Sequence, residues 1–467
     1  MVKLKNALKC AIIIPPEVGS VFPRGAVELA TFLKEKGVSL SFLHMGLMPL
    51  LSNEGTSALP DKKSELEHTV RKFLEKEQPD VVGVSCVFTI SYPSCLHILR
   101  TSKKVRPKAV TVIGGVHPTF TDMETVREDC VDVVVRGEGE WAMLDLLRAI
   151  RNGRSLMEVN GLTLKRDGEP FRTGTRVDGN LNKLKLPDFS LFTPEQLNSM
   201  DIYGIATRGC KYRCRYCVEG RFWNSRRRYA PNRIIDEIEL LKKDGAEMLG
   251  IEDSMVHLAS RELADFCMEL KRRPQLSLKD TFCVASRVDT ITSKGIALLK
   301  ESKISHVRLG IETGSEDVRN LMGKTFLNRD IINACRLLQD NDIKVLAFWM
   351  IGLPGDNPIE SRKSLKFMEK LYRDKLINEV ALALFLPYPG TEFYTNPTQN
   401  KITILNRDWA KWERWTPEPI YELDTFKKAD ISQAYLDAVE IIKKYELFDE
   451  QSKIKHEFAA RIRNGSL

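Results

Sequence analysis

Short apolar runs alternating with amphipathic stretches organise the first third of the chain. Runs at residues 10–15, 40–44, 81–86, 110–115 and 131–137 have the length of buried strands, and segments 26–36, 66–77, 94–105 and 141–151 repeat apolar positions at helical spacing. That alternation predicts a doubly wound parallel sheet with covering helices over residues 1–152. Residues 161–173 alternate across Asp167-Gly168 and predict a small hairpin. A polar linker follows, so that 153–200 reads as hairpin and linker. From 202 to 387 a strand–helix unit recurs six times, with strands near 202–208, 248–253, 282–288, 307–313, 345–352 and 380–387. Six parallel units predict a partial (β/α)6 barrel over 201–388, open on one side. The remainder, 389–467, carries Trp409, Trp412 and Trp415 among charges and amphipathic segments from Ile431 onward. It is expected to be mainly helical, with the tryptophans serving as packing.

A chain of 467 residues with 43% hydrophobic and 29% charged positions is neither disordered nor fibrous. The apolar run at 8–16 is too short to cross a bilayer, and the N-terminus has no signal-peptide pattern. No membrane span and a cytoplasmic location are therefore expected. Ten cysteines that include one tight cluster fit a reducing compartment better than a disulfide framework. The net charge of +8 is partly local, because residues 208–233 hold nine Lys/Arg against Glu219 alone. Such a stretch suits a carboxylate, an acidic partner or nucleic acid, or is a solvated loop.

Chemistry concentrates at the predicted strand ends. Ligands of doubly wound sheets bind outside the carboxyl ends of the strands, and here those ends carry Pro15-Pro16-Glu17, Ser85-Cys86, Gly114-Gly115-Val116-His117 and Arg136-Gly137-Glu138. Reaction sites of (β/α) barrels lie at the same end. Just after the first barrel strand stand Cys210, Cys214 and Cys217. Soft thiolates select zinc, copper(I) or iron–sulfur clusters. A closed structural zinc site wants a fourth ligand, and no second Cys or His pair follows. Three thiolates suit a cluster with one iron left open.

With this Cys-x3-Cys-x2-Cys spacing the chain resembles the radical S-adenosylmethionine (SAM) superfamily, which holds a [4Fe–4S] cluster on three cysteines and chelates SAM through the fourth iron. The segments VGVSC, VIGGVHPT and VVVRGEGE resemble the cobalamin-binding domain that precedes the radical domain in many such enzymes. The resemblance implies cobalamin contacts at Pro16, Ser85, Gly114, Gly115, His117, Gly137 and Glu138. The Asp-x-His-x-x-Gly motif whose histidine ligates cobalt in the classical domain is absent, and His117 reads as a loop histidine near the nucleotide tail. For SAM, the resemblance implies Glu252 and Asp253 for the methionyl amine and Arg287 for the carboxylate. It implies Glu312 and Ser315, in Gly-Ile-Glu-Thr-Gly-Ser, for the ribose. Tyr216, Gly352 and Pro387 would lie toward the adenine.

The function implied is that of a cobalamin-dependent (class B) radical SAM methyltransferase. SAM is cleaved to methionine and a 5′-deoxyadenosyl radical, which removes hydrogen from an unactivated carbon, and a second SAM supplies the methyl group through cobalamin. Electrons would come from a donor such as ferredoxin or flavodoxin. Among the relatives, the glutamine C-methyltransferases of methyl-coenzyme M reductase suggest a protein or peptide substrate, hence a post-translational modification. A porphyrin or lipid substrate is the alternative, and tRNA methylthiotransfer a further one. The latter class carries a second N-terminal cluster and an RNA-binding barrel, neither of which is read here, so nucleic acid is not the expected partner.

Overall fold

The computed structural model describes residues 8–47, 59–175, 179–251, 256, 258, 260–276, 278, 280 and 282–447. The chain divides into two compact units: residues 1–201 with 222–224 and 244–246, and the remainder.

In the first unit seven strands form one sheet: β1 Lys9–Ile14, β2 Ser39–His44, β3 Val81–Ser85, β4 Val110–Gly114, β5 Val133–Val135, β6 Leu162–Arg166 and β7 Glu169–Arg172. Their order is β2-β1-β3-β4-β5-β6-β7. The first five are parallel, because each is followed by a helix that returns the chain over a face of the sheet. Strands β1 and β3 are buried on both faces, which is why they read as unbroken apolar runs rather than alternations. The helices Arg24–Glu35 and Gly139–Arg151 pack together, and so do Leu59–Glu77 and Tyr92–Val105. Phe32 meets Trp141 at 5.1 Å between ring centroids inside the first pair.

The expected hairpin forms at β6 and β7, but it is not an appendage. β6 pairs antiparallel with β5 and extends the sheet. The alternation signalled the turn but not the partner. Asp122 supplies part of the reason: its carboxylate is buried and takes Thr163 Oγ1 at 2.6 Å and a two-pronged Arg172 guanidinium at 2.6 Å on each oxygen, so both strands of the hairpin are tied to it. The Arg172 and Thr163 hydrogen bonds outweigh burial and hold the Asp122 carboxyl below its usual range.

The second unit carries β8 Tyr203–Gly204, β11 Gly250–Ile251, β12 Cys283–Ser286, β13 His306–Glu312, β14 Lys344–Ile351 and β15 Glu379–Leu384, all parallel and neighbours in chain order. β14 alternates, with Val345, Ala347, Trp349 and Ile351 buried. The fully buried Trp349 donates Nε1–H to Ser364 Oγ at 3.1 Å, which ties β14 to the helix Pro358–Arg373. One expectation needs correction. The strand expected over 202–208 is broken: β8 stops at Gly204, and β9 Thr207–Arg208 pairs antiparallel with β10 Arg227–Arg228 outside the main sheet. The region after the barrel, mainly helical as expected, runs from the short helix Glu392–Thr395 to the long helix Lys428–Lys444 and carries between them a two-stranded ribbon, β16 Ile402–Ile404 and β17 Tyr421–Leu423. Trp412 is 1% exposed and packs against Trp409 at 4.7 Å, in keeping with a packing role. Among the described residues no helix is long and apolar enough to cross a membrane.

Gly115 is where the first unit tolerates no side chain. Its φ of +113° excludes most L-residues, and a Cβ there would stand 2.4 Å from the Cys86 carbonyl oxygen. Gly115→Ala is expected to cost about 2–4 kcal/mol, read as a lower urea midpoint. An unchanged midpoint would show that the loop after β4 relaxes freely.

Candidate functional site

In the first unit β1 and β3 are neighbours whose crossovers diverge, which makes a topological switch point. Around it the loop residues named from sequence fall at strand ends: Pro16 after β1, Ser85 at the end of β3, Gly114 and Gly115 after β4, Gly137 and Glu138 after β5. Gly137 has φ +67°, and its N–H donates to Thr119 Oγ1 at 2.9 Å, drawing the loops after β4 and β5 together. His117 is 2% exposed, stands 3.2 Å from Thr89 Oγ1 through Nδ1 and packs on Tyr92 at 4.5 Å. Burial lowers its pKa to about 3, so the ring is neutral. This is the setting of a packed loop histidine. The residues fit a bulky, hydrogen-bonding ligand: strand-end backbone left bare by Gly114, Gly115 and Gly137, with the buried His117 imidazole neutral.

In the second unit Cys210, Cys214 and Cys217 follow β9 on one partly exposed loop. A tight turn, Cys217 N–H to the Cys214 carbonyl at 3.1 Å, brings the last two together. Arg221 donates to the carbonyl of Cys217 at 2.9 Å and fixes that turn from outside. Burial raises the Cys210 thiol and pushes Cys217 up to about 12, so ligation must displace protons. Among the described residues no three thiol, imidazole or carboxylate groups already converge on one ion. The donor set still fits an iron–sulfur cluster: three thiols on one glycine-led loop, with the Arg287 guanidinium 3.5 Å from Cys214 Sγ to offset thiolate charge.

Arg287, expected at the methionyl carboxylate, lies beside the cluster loop. It follows β12, is 6% exposed and grips Asp289 with Nε at 2.9 Å and Nη2 at 3.1 Å, while its face covers Tyr212 at 3.9 Å. Two of its donors are committed to Asp289 and a third faces the cluster loop. The Ser315 hydroxyl caps the helix Glu316–Leu321 through Val318 N–H at 3.3 Å and donates to Glu360 at 2.5 Å. Glu252 and Asp253 lie outside the described residues.

Glu312, at the end of β13, is the centre of the arrangement. It follows a bulge in the β13–β14 register and has φ +70°, a strained conformation for a non-glycine residue. Lys324 Nζ reaches Glu312 Oε1 at 2.6 Å and the Gly310 carbonyl at 2.9 Å, and Tyr216 Oη donates to the same oxygen at 2.9 Å. The two charged side chains are 4% and 9% exposed. Burial and the neighbouring carboxylate hold the Tyr216 hydroxyl well above its ordinary range, so it stays a donor. Lys324 and Tyr216 together fix the Glu312 carboxylate through Oε1. Sequence reasoning missed Lys324; its only signal is a lysine after Met322-Gly323, twelve residues beyond the glutamate.

The other strand ends complete the rim. Gly352 has φ +79°, its carbonyl accepts from the fully buried Tyr421 at 2.6 Å, and a Cβ there would strike that hydroxyl. Asp356 in the same loop is 5% exposed, and burial pushes its carboxyl up to about 7. Pro387 is buried beyond the end of β15.

Comparison with known proteins agrees with both halves. The B12 binding domain matches residues 18–147, and the Radical SAM superfamily matches residues 205–368. An uncharacterized methyltransferase of Pyrococcus horikoshii is 27% identical over 78% of this chain and 78% of its own length. The anaerobic magnesium-protoporphyrin IX monomethyl ester cyclase of Rubrivivax gelatinosus is 28% identical over 75% of this chain, which spans 64% of that protein. The solved structure of the radical SAM methyltransferase TsrM from Kitasatospora setae, with cobalamin and a [4Fe–4S] cluster bound, shares the fold with TM-score 0.72 and 17% identity over 94% of this chain and 91% of its own.

Two measurements test the electrostatics. Lys324→Met strands a buried carboxylate and is expected to cost about 3 kcal/mol in denaturation and to weaken SAM binding at least about tenfold. Adding Glu312→Gln should recover part of the lost stability, whereas additive losses would mean the two groups are not coupled. The Asp356 carboxyl binds its proton more tightly in the fold than the ordinary value near 4 allows. Its contribution is therefore complete below about pH 4 and lost as pH rises through about 7. The melting temperature should fall between about pH 4 and 7, and Asp356→Asn should flatten part of that fall. An identical slope in the variant would mean that Asp356 is ionised in the fold.

Proposed function

We propose that this chain, with its B12-binding and radical SAM matches, is an enzyme that methylates an unactivated carbon of a protein or peptide side chain, with glutamine the favoured target. The observation that carries the reading is the pairing, within one unit, of a three-cysteine loop with the held carboxylate of Glu312. Tyr216, just before the third cysteine, hydrogen-bonds that carboxylate, so the cluster loop and the strand end share one position.

When bound, the cluster supplies the electron for reductive SAM cleavage and cobalamin supplies the methyl carrier. The chain's own residues bind, orient and exclude water. Cys210, Cys214 and Cys217 would hold the cluster, Glu312 would accept hydrogen bonds from the ribose hydroxyls, and Arg287, whose guanidinium lies 3.5 Å from Cys214 Sγ, would pair with the methionyl carboxylate. Glu252 and Asp253 remain the proposed partners of the amine. In the first unit Pro16, Ser85, Gly114, Gly115, Gly137 and Glu138 would line the cobalamin, with His117 supporting the loop from below.

A protein or peptide substrate is supported by the exposed basic side chains of the cluster loop, Lys211 and Arg213, which suit an acidic segment. An acidic electron donor such as ferredoxin or flavodoxin would be served by the same charge. Ring closure on a porphyrin is the second reading, favoured by the similarity to the cyclase. The burial of Trp412 removes one apolar surface that such a flat substrate would have used.

The test is metal content after anaerobic reconstitution with iron, sulfide and hydroxocobalamin. About four irons and one cobalt per chain are expected, and Cys214→Ala should lose the iron while keeping the cobalt. Methyl-labelled SAM and a strong reductant should then transfer label to a peptide. About eight irons with no cobalt would overturn the reading in favour of a two-cluster enzyme, and turnover of a porphyrin without label transfer would favour the cyclase.

A further inference from the structure

Glu17 lies in the Pro16–Val18 turn after β1, and Ser94 in the first turn of the helix Tyr92–Val105 after β3. These are the two loops that flank the switch point. The Ser94 hydroxyl donates to Glu17 Oε1, linking them across it. Glu17 Oε2 is buried and has no hydrogen-bond partner among the described residues. A buried polar atom in that condition is costly and is rare in native proteins unless a ligand satisfies it. The backbone is not free to carry the carboxyl elsewhere: the loop after β2 is pressed so closely on the loop after β1 that a Cβ on Gly46 would stand 2.7 Å from Gly19 N.

Burial pushes the Glu17 carboxyl up to about 7, despite the Ser94 hydrogen bond that opposes it. A neutral carboxyl presents a donor and an acceptor side by side, which is the complement of a primary carboxamide. The rim of a corrin carries several such carboxamides. We propose that Glu17, oriented by Ser94, hydrogen-bonds a carboxamide on the corrin rim of bound cobalamin. The inference rests on the cobalamin reading and adds to it a residue that lies just outside the matched B12 binding domain.

The experiment measures binding of hydroxocobalamin and of dicyanocobinamide, which keeps the corrin carboxamides but lacks the nucleotide, to the full-length protein by visible absorbance after equilibrium dialysis. Glu17→Ala should weaken both ligands by about tenfold, as expected for one buried hydrogen-bonded pair. Glu17→Gln, which keeps a donor and an acceptor, should stay within about threefold of the wild type. Ser94→Ala, which leaves the carboxyl in place without its anchor, should lose about threefold and serves as the deciding variant if Glu17→Ala does not fold. Wild-type affinity in Glu17→Ala, or in Ser94→Ala where that variant decides, overturns the proposal. So does a loss for cobalamin alone, which would move the contact to the nucleotide. Failure of the wild type itself to bind either ligand would instead overturn the cobalamin reading.

Discussion

The second unit depends on how one carboxylate is held. Glu312 is buried at the end of β13 in a left-handed conformation, and a buried charge in a strained backbone persists only where its surroundings over-determine it. Lys324 compensates the charge, and Tyr216 takes the same oxygen. The Met322–Lys324 turn serves two ends at once, because the Met322 carbonyl also accepts the Arg215 N–H at 3.2 Å and so steadies the loop that carries the cysteines. Arg319, wholly buried, closes the segment by donating to the carbonyls of Thr313 and Phe326 and to Asn328. Burial lowers its pKa to about 10, which still leaves it charged.

The first unit works with less charge and closer backbone. Its strand-end loops approach one another through glycines, and its buried polar groups there, His117 and the Glu17 carboxyl, are held toward their neutral forms by burial. That suits a large neutral ligand bound by hydrogen bonds. The second unit, with Arg287, Lys324 and Glu312 around a thiol loop, suits a charged one. The division follows from desolvation: a charge is kept at a buried site only beside a partner.

Much of the fold was legible because both units are built from parallel strands, and parallel strands buried on two faces announce themselves as apolar runs at regular spacing. The cysteine spacing and Gly310-Ile-Glu-Thr-Gly-Ser were legible for another reason: they concern residues close in sequence. Lys324 was not, since it meets Glu312 only after the helix Glu316–Leu321 turns the chain back. Arg287 and Ser315 stand at strand ends, as read from sequence, but the partners that the structure gives them, Asp289 and the helix backbone, leave no trace in hydrophobic periodicity. The hairpin's entry into the sheet was hidden likewise, because Asp122 meets Arg172 from fifty residues away.

The sequence alone determined the layering of each unit and the placing of chemistry at the carboxyl ends of its strands. Periodicity, glycine positions and local cysteine spacing are properties of adjacent residues, and they bound what the backbone can do. The tertiary structure decided which polar atoms are already spoken for. Hydrogen bonds and ion pairs join residues distant in sequence, and burial sets whether each group is charged. Those two facts separate the ion-paired carboxylate of Glu312 from the helix cap at Ser315, three residues away.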